Sequence, residues 1–280
     1  MAVPNLEQRG ITHWERRGIT LVNHCSYLLA RLAPQRIPVT AVTGFPKSGT
    51  VWVTQMVSDY LQLPFVDLSF TPVGCPAVIH THYRVPASGG IPMVYVARDG
   101  RDAIVSMYFY LSKHLPDGDH PNVPRWLRRY FRGLKNKANV REFLPKFIEY
   151  QFQRPAGCRV DWNAHLDSYF RSSREDVPFV KYENLLIDPK SEMVKALGTL
   201  TGEPVDEELL EFAIRKFSFE KQTGRKRGEQ ESSSFVRKGA AGDWKNHFSR
   251  EAAEVFHRLA GQTLIKAGYE PDASWVEQVD

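Results

Sequence analysis

Cysteine is scarce in this chain of 280 residues: only Cys25, Cys75 and Cys158 occur, an odd number at wide spacing with no CxxC pair. A disulfide framework and a structural zinc site are therefore not expected, and reduced thiols in a cytoplasmic setting are the plain expectation. Long apolar runs are missing as well. Glu7, Arg9, Glu15, Arg16 and Arg17 interrupt the first residues, so no secretory leader is expected. No window of about 18 uncharged apolar residues exists to form a transmembrane helix. There is no internal repeat and no long low-complexity tract, which argues against solenoid and fibrous architectures.

The composition that remains is ordinary for a globular protein, 42% hydrophobic and 25% charged, and the length suits one large α/β domain over 1–280. Acidic residues are outnumbered, 32 against 37 basic ones, leaving a net charge of +5. A surplus of that sign attracts anions, and nucleic acid, anionic lipid, an acidic substrate or a phosphorylated cofactor all fit it. An aromatic content of 12% suits a protein that holds flat ligands.

Residues 37–42 read as a short β-branched strand, residues 44–49 as a glycine-containing turn, and residues from 50 to about 61 as a helix. Further strands are expected at 77–80, 91–97 and 177–182, with a helix from 101 to about 113. Asp188 and Pro189 open another helix as N-cap and first helical residue. Strands alternating with helices predict a three-layer α/β/α fold around a mostly parallel sheet. Residues 1–36 are expected to form a helical extension, amphipathic over 18–32. Residues 115–121 carry the turn chemistry of a loop, and polar residues 223–234 are expected to be a mobile segment that a ligand orders.

A glycine turn feeding a helix N-terminus is a natural anion site, because the first backbone N–H groups have no intrahelical partner and the helix end is partially positive. Lys47, Ser48 and Thr50 add an ammonium and two hydroxyls to this P-loop-like turn. The turn is not a Walker A box, since Lys47 precedes Gly49 where that motif sets its lysine after the second glycine. No magnesium-binding acid pairs with it either, as a P-loop phosphotransferase or NTPase requires. That reading, and a non-catalytic polyanion-binding module, remain the alternatives.

The string TGFPKSGTVW at 43–52 resembles the 5′-phosphosulfate loop of sulfotransferases that use 3′-phosphoadenosine 5′-phosphosulfate (PAPS). Three more segments resemble the same family in the same order: YVARDGRDAIVS at 95–106, VKYENL at 180–185 and RKGAAGDWKN at 237–246. The resemblance spans residues from about 37 to about 250. It implies direct in-line transfer of a sulfuryl group from PAPS, leaving 3′-phosphoadenosine 5′-phosphate (PAP), with no metal and no covalent enzyme intermediate.

Carried over residue by residue, the resemblance assigns a catalytic set of His82, Lys47 and Ser106. His82 is the base, in a His80-Thr81-His82 run, and an ordinary imidazole suits proton abstraction near neutral pH. Lys47 meets the bridging oxygen, and Ser48, Gly49, Thr50 and Val51 cradle the 5′-phosphate. Arg98 and Ser106 bind the 3′-phosphate with Arg237, Lys238 and Gly239. Trp52 and Phe219 sandwich adenine and Tyr182 lies at its edge, although core packing competes for both Trp52 and Phe219. His80 departs from the family, where many members have a lysine on the sulfuryl oxygens; a His80 and His82 metal pair is the lesser alternative, because no third ligand is evident. Asp102 is expected to cap its own helix, Asp243 and Trp244 to brace a turn, and Glu183 to accept a backbone or lysine hydrogen bond.

The partner that the resemblance implies is a small-molecule acceptor rather than nucleic acid; oligomeric state is not legible. Aromatic candidates for the acceptor pocket are Phe109, Tyr110, Trp126, Tyr130, Phe143 and Phe147, which favour an aromatic or lipid-like alcohol or amine. The basic stretch 125–137, interleaved with apolar residues, reads as a solvated face or as a contact for a membrane surface or acidic acceptor.

Overall fold

A computed structural model describes residues 38–66, 76–114, 140–224 and 239–280, with isolated positions between 21 and 33. Its centre is a five-stranded sheet in the order β2-β3-β1-β4-β5, with every neighbouring pair parallel. The strands are β1 (Val39–Thr43), β2 (Phe65–Val66), β3 (Ala77–Thr81), β4 (Met93–Ala97) and β5 (Phe179–Lys181). The central ones are short, β-branched and buried on both faces, as a parallel sheet covered by helices requires.

Alternation along each strand feeds two separate cores. Val39, Ala41, Ile79, Met93, Tyr95 and Ala97 point into one; Val42, Val78, Val94, Val96 and Val180 point into the other. The helices Gly100–His114, Val140–Gln153, Trp162–Phe170 and Arg250–Lys266 cover the first face. The helices Thr50–Tyr60, Pro189–Thr201 and Glu207–Lys216 cover the second. In the helix Thr50–Tyr60 the stripe is Val53, Met56 and Val57, each 0% exposed, and burial of such side chains stabilises by roughly 1.5–3 kcal/mol apiece. The three-layer α/β expectation holds.

The predicted N-cap is present: the Asp188 carboxylate accepts from the Ser191 N–H at 3.0 Å, with Pro189 as first helical residue. The last strand is shorter than the pattern suggested, because β4 ends at Ala97 opposite Lys181. Tyr182 then has no rung to join and opens the helix Tyr182–Ile187 instead. Asp102 does not cap its own helix. Its carboxylate accepts from the N–H groups of Gly242 at 2.7 Å and Trp244 at 2.8 Å, and so caps the 3₁₀ turn Asp243–Asn246, 140 residues away in sequence. The expected 115–121 loop, most of the 1–36 extension and most of the 223–234 segment lie outside the described residues.

Candidate active site

Strand order decides where the site lies. With β1 between β3 and β4, the chain leaves the central strand in opposite directions, and open α/β sheets bind ligands outside the strand C-termini at such a point. The phosphate turn follows Thr43, His82 follows Thr81, Arg98 follows Ala97 and Tyr182 follows Lys181. Thr43 is in register with both Thr81 and Tyr95, and Ala97 with Lys181. Four segments far apart in sequence thus deliver their chemistry to one edge.

The turn has the backbone features that suit an anion. Lys47 (φ 72°) and Gly49 (φ 86°) both take the left-handed conformation on either side of Ser48. A residue with a Cβ incurs about 1–2 kcal/mol there, a strain characteristic of functional loops. Gly49 also has no room for a side chain, since a Cβ would stand 2.6 Å from the Tyr182 ring. Gly49 is the N-cap of the helix Thr50–Tyr60 and no side chain caps that end. Ser48 is 0% exposed, yet its Oγ has no partner among the described residues. A buried hydroxyl without a hydrogen bond is costly, so its place at a helix N-terminus points to a ligand acceptor.

Arg98 ties this turn to the C-terminal motif. Its guanidinium donates to the Lys47 carbonyl at 3.0 Å and the Ala240 carbonyl at 3.2 Å, and it lies 4.4 Å from the centre of the Tyr182 ring. Trp52 meets the same ring edge-on at 6.2 Å. Phe219, 6% exposed, packs on the backbone of Gly239 (φ 60°), whose Cβ would come within 2.5 Å of the ring. Lys47 Nζ stands 4.6 Å over the Tyr110 ring. Ser106 is partly exposed one helical turn before Tyr110, on the helix face that Lys47 meets. Val51 lies in the first turn of the helix behind the loop. Arg237 and Lys238 lie outside the described residues.

His82 is held by its ring and by its backbone. Nδ1 is 2.7 Å from the Gly44 carbonyl; a carbonyl only accepts, so Nδ1 carries the proton and Nε2 keeps the lone pair. Burial lowers its pKa to about 3, with the neighbouring His80 reinforcing the shift, the Gly44 hydrogen bond opposing it, and His165 and Lys47 adding smaller lowering effects. Its imidazole is therefore neutral at working pH. The His80 ring meets it edge-on at 4.7 Å, and His80 Nε2 pairs with the Thr50 hydroxyl at 2.8 Å. The Thr43 hydroxyl donates to the Tyr83 carbonyl at 2.5 Å, fixing the segment beyond.

Three contributors, His165, Tyr95 and Arg101, were given no role by the sequence. His165 reaches the His82 carbonyl from 83 positions away, and Tyr95 supports His165. Arg101, 2% exposed, is sandwiched between Trp244 at 3.8 Å and Trp275 at 4.5 Å, and pairs with Asp99 at 2.7 Å and Glu270 at 2.6 Å. That network and the Asp102 cap anchor the C-terminal motif to the helix carrying Ser106. Asp243 braces the same turn through Asn246 and His247. Glu183 accepts from the Asp99 N–H at 2.9 Å, and burial pushes its pKa up to about 7.

Among the acceptor-pocket candidates, Phe147 is 0% exposed and belongs to the core. Phe109 and Phe143 are partly buried and pack against that core, while Tyr110 lies under Lys47. Trp126, Tyr130 and the basic stretch 125–137 lie outside the described residues. No group of three metal-ligating side chains occurs among the described residues, and no described helix is long and apolar enough to cross a membrane.

The chain is similar over most of its length to proteins of known class. The sulfotransferase domain model matches residues 76–268. Human Sulfotransferase 1E1 is 27% identical over 265 residues, covering 80% of this chain and 82% of that protein. Human Sulfotransferase 1C2 is 27% identical over 259 residues, covering 77% and 79%. Among solved structures, mouse sulfotransferase SULT7A1 complexed with PAP superposes with a TM-score of 0.59 at 18% identity, over 86% of this chain and 88% of that one. Retinol dehydratase in complex with androsterone and PAP superposes with a TM-score of 0.55 at 17% identity, over 86% and 85%.

Proposed function

The chain belongs to the sulfotransferase domain family, and from that premise we propose that it transfers a sulfuryl group from PAPS to a hydroxyl or amine of a small acceptor, releasing PAP. One observation carries the assignment of the donor site: the buried Ser48 hydroxyl has no partner among the described residues, at a helix N-terminus that no side chain caps. A 5′-phosphosulfate supplies the acceptor oxygens that this turn lacks. The two proteins solved with PAP share the fold.

In this reading Gly49, Thr50 and Val51 hold the 5′-phosphate through backbone N–H groups and Ser48 through its hydroxyl. The Ser48 N–H donates to the Phe45 carbonyl, and the Thr50 hydroxyl is engaged by His80. Arg98, Ser106 and Gly239, joined by Arg237 and Lys238, hold the 3′-phosphate. Trp52, Tyr182 and Phe219 receive the adenine. His82 Nε2 takes the acceptor's proton as the acceptor oxygen or nitrogen bonds to sulfur and the sulfur–oxygen bond to the phosphate breaks. Lys47 steadies the charge that collects on the departing phosphate oxygen. Anionic charge near His82 raises its basicity, opposing the effects of burial, His80 and Lys47. The partly exposed aromatic side of the site, with Tyr110 and Phe109, suits a flat, largely apolar acceptor.

The test is thermal unfolding with PAP compared with AMP, ADP and ATP–Mg²⁺. A ligand at about 100 times its Kd adds about 2.7 kcal/mol, a shift of several degrees. Stabilisation by PAP over AMP and ADP is expected, because only PAP carries the 3′-phosphate. A response confined to ATP–Mg²⁺ overturns the proposal.

A further inference from the structure

His165 lies in the helix Trp162–Phe170 and is 0% exposed. Its two ring nitrogens have different partners. Nε2 is 3.2 Å from the His82 carbonyl and Nδ1 is 2.9 Å from the Tyr95 hydroxyl. The carbonyl can only accept, so Nε2 carries the proton and Nδ1 must accept from Tyr95. Tyr95 is itself immobilised in β4, 1% exposed and stacked on Phe179 at 5.8 Å with an interplanar angle of 8°. The His82 carbonyl therefore selects the Nε2–H tautomer of His165, and the Tyr95 hydroxyl complements it by donating to Nδ1.

What it holds needs holding. β3 pairs with β1 only as far as Thr81, so the His82 carbonyl lies just past the last rung of the ladder. Its contacts come from outside the sheet, from His165 Nε2 and from Cys158 Sγ at 3.4 Å. The ring is tied separately to Gly44. With carbonyl and ring both anchored, the direction of Nε2 is determined.

We propose that Tyr95 and His165 form a positioning pair that fixes the His82 carbonyl and so aims Nε2 at the acceptor. The proposal rests on reading His82 as the base. The pair touches no reacting atom. A misplacement of about 1 Å can lower turnover about 100-fold, so a pair that prevents only part of such a shift is expected to matter about 10-fold.

The experiment uses ¹⁵N-histidine-labelled full chain with PAP bound, and the imidazole signals of His82 assigned by their loss in His82→Asn. Turnover of 2-naphthol with PAPS is measured in parallel. Wild type is expected to show one His82 tautomer with Nδ1 protonated. His165→Leu should broaden or split that signal and lower kcat about 10-fold, with KM for PAPS and PAP affinity within about 2-fold. His165→Gln, whose amide nitrogen can replace Nε2–H as donor, should retain the single signal and recover most of kcat. Tyr95→Phe removes one hydroxyl and should behave between the two, which keeps the test open if His165→Leu fails to fold. Unmoved His82 signals in a folded His165→Leu or Tyr95→Phe chain overturn the proposal, as does parallel loss of PAP affinity and kcat. Failure of the underlying reading is separate: it is His82→Asn turning over at the wild-type rate.

Discussion

Replacing His165 by Gln should flatten the acid side of the protein's stability curve. Burial lowers the His165 pKa from the ordinary 6.5 to about 4, and its only opposing contribution is the hydrogen bond to the His82 carbonyl. The unfolded chain therefore binds a proton at this residue from about pH 6.5 downward, while the folded chain does so only near pH 4. Stability from this source is fully present above about pH 6.5 and is lost as pH falls towards 4. At 1.36 kcal/mol per unit, the loss between pH 8 and pH 5 is about 2 kcal/mol. An unfolding entropy near 2.1 cal/mol/K per residue gives about 0.6 kcal/mol/K for 280 residues, so this one group contributes about 3 °C of the acid fall in Tm. Glu183 works in the opposite sense. Its pKa is raised to about 7, so its contribution grows as pH falls, and the wild-type curve alone cannot separate the two. The assay is calorimetry of wild type and His165→Gln at pH 5, 6, 7 and 8, comparing the fall in Tm within each protein rather than the absolute values. A fall about 3 °C smaller in the variant is expected. Parallel curves would refute the argument that His165 is buried neutral.

Three further outcomes follow from the site. Ser48→Ala removes a buried hydroxyl that has no partner among the described residues, so Tm of the free protein should hold or rise while PAP affinity falls about 10-fold, measured by titration calorimetry; a lower Tm with unchanged affinity contradicts the anion-turn reading. Gly49→Ala places a Cβ 2.6 Å from the Tyr182 ring at a φ of 86°, so the loop must shift and PAP binding should weaken by at least about 10-fold; wild-type affinity would show that the loop tolerates a side chain. Arg101→Met strands Asp99 and Glu270 without their guanidinium, a loss of about 3–5 kcal/mol for a buried pair. It should lower Tm by about 5–8 °C in a thermal scan, and a shift under about 2 °C would mean the network is dispensable.

Much of the site was legible because its parts are local. A left-handed glycine turn between a β-branched strand and an amphipathic helix is written in consecutive residues, and so is the cap formed by Asp188 and Pro189. The continuous apolar run Met93–Ala97 is local too, and it suits a strand buried on both faces. Four ordered motifs carried the family resemblance: three of them overlap strand C-termini, which share one edge in a parallel sheet, and the fourth is tied to that edge through Arg98 and Asp102.

What the sequence could not supply was pairing across distance. Asp102 looked like the cap of its own helix because it stands in the first turn; it caps residues 242–244 instead, since the free N–H groups of that 3₁₀ turn reach its carboxylate. Tyr182 extended the strand pattern, yet β4 had no rung left to offer it. The tautomer of His82 was set by a loop carbonyl 38 residues away and its backbone by a histidine 83 residues away. Local sequence therefore determined the elements and the glycine turn, and its ordered motifs carried the resemblance that implied the class of reaction. Packing of distant segments alone decided which nitrogen of His82 is free and where it points, because hydrogen-bond direction depends on neighbours that only the folded sheet assembles.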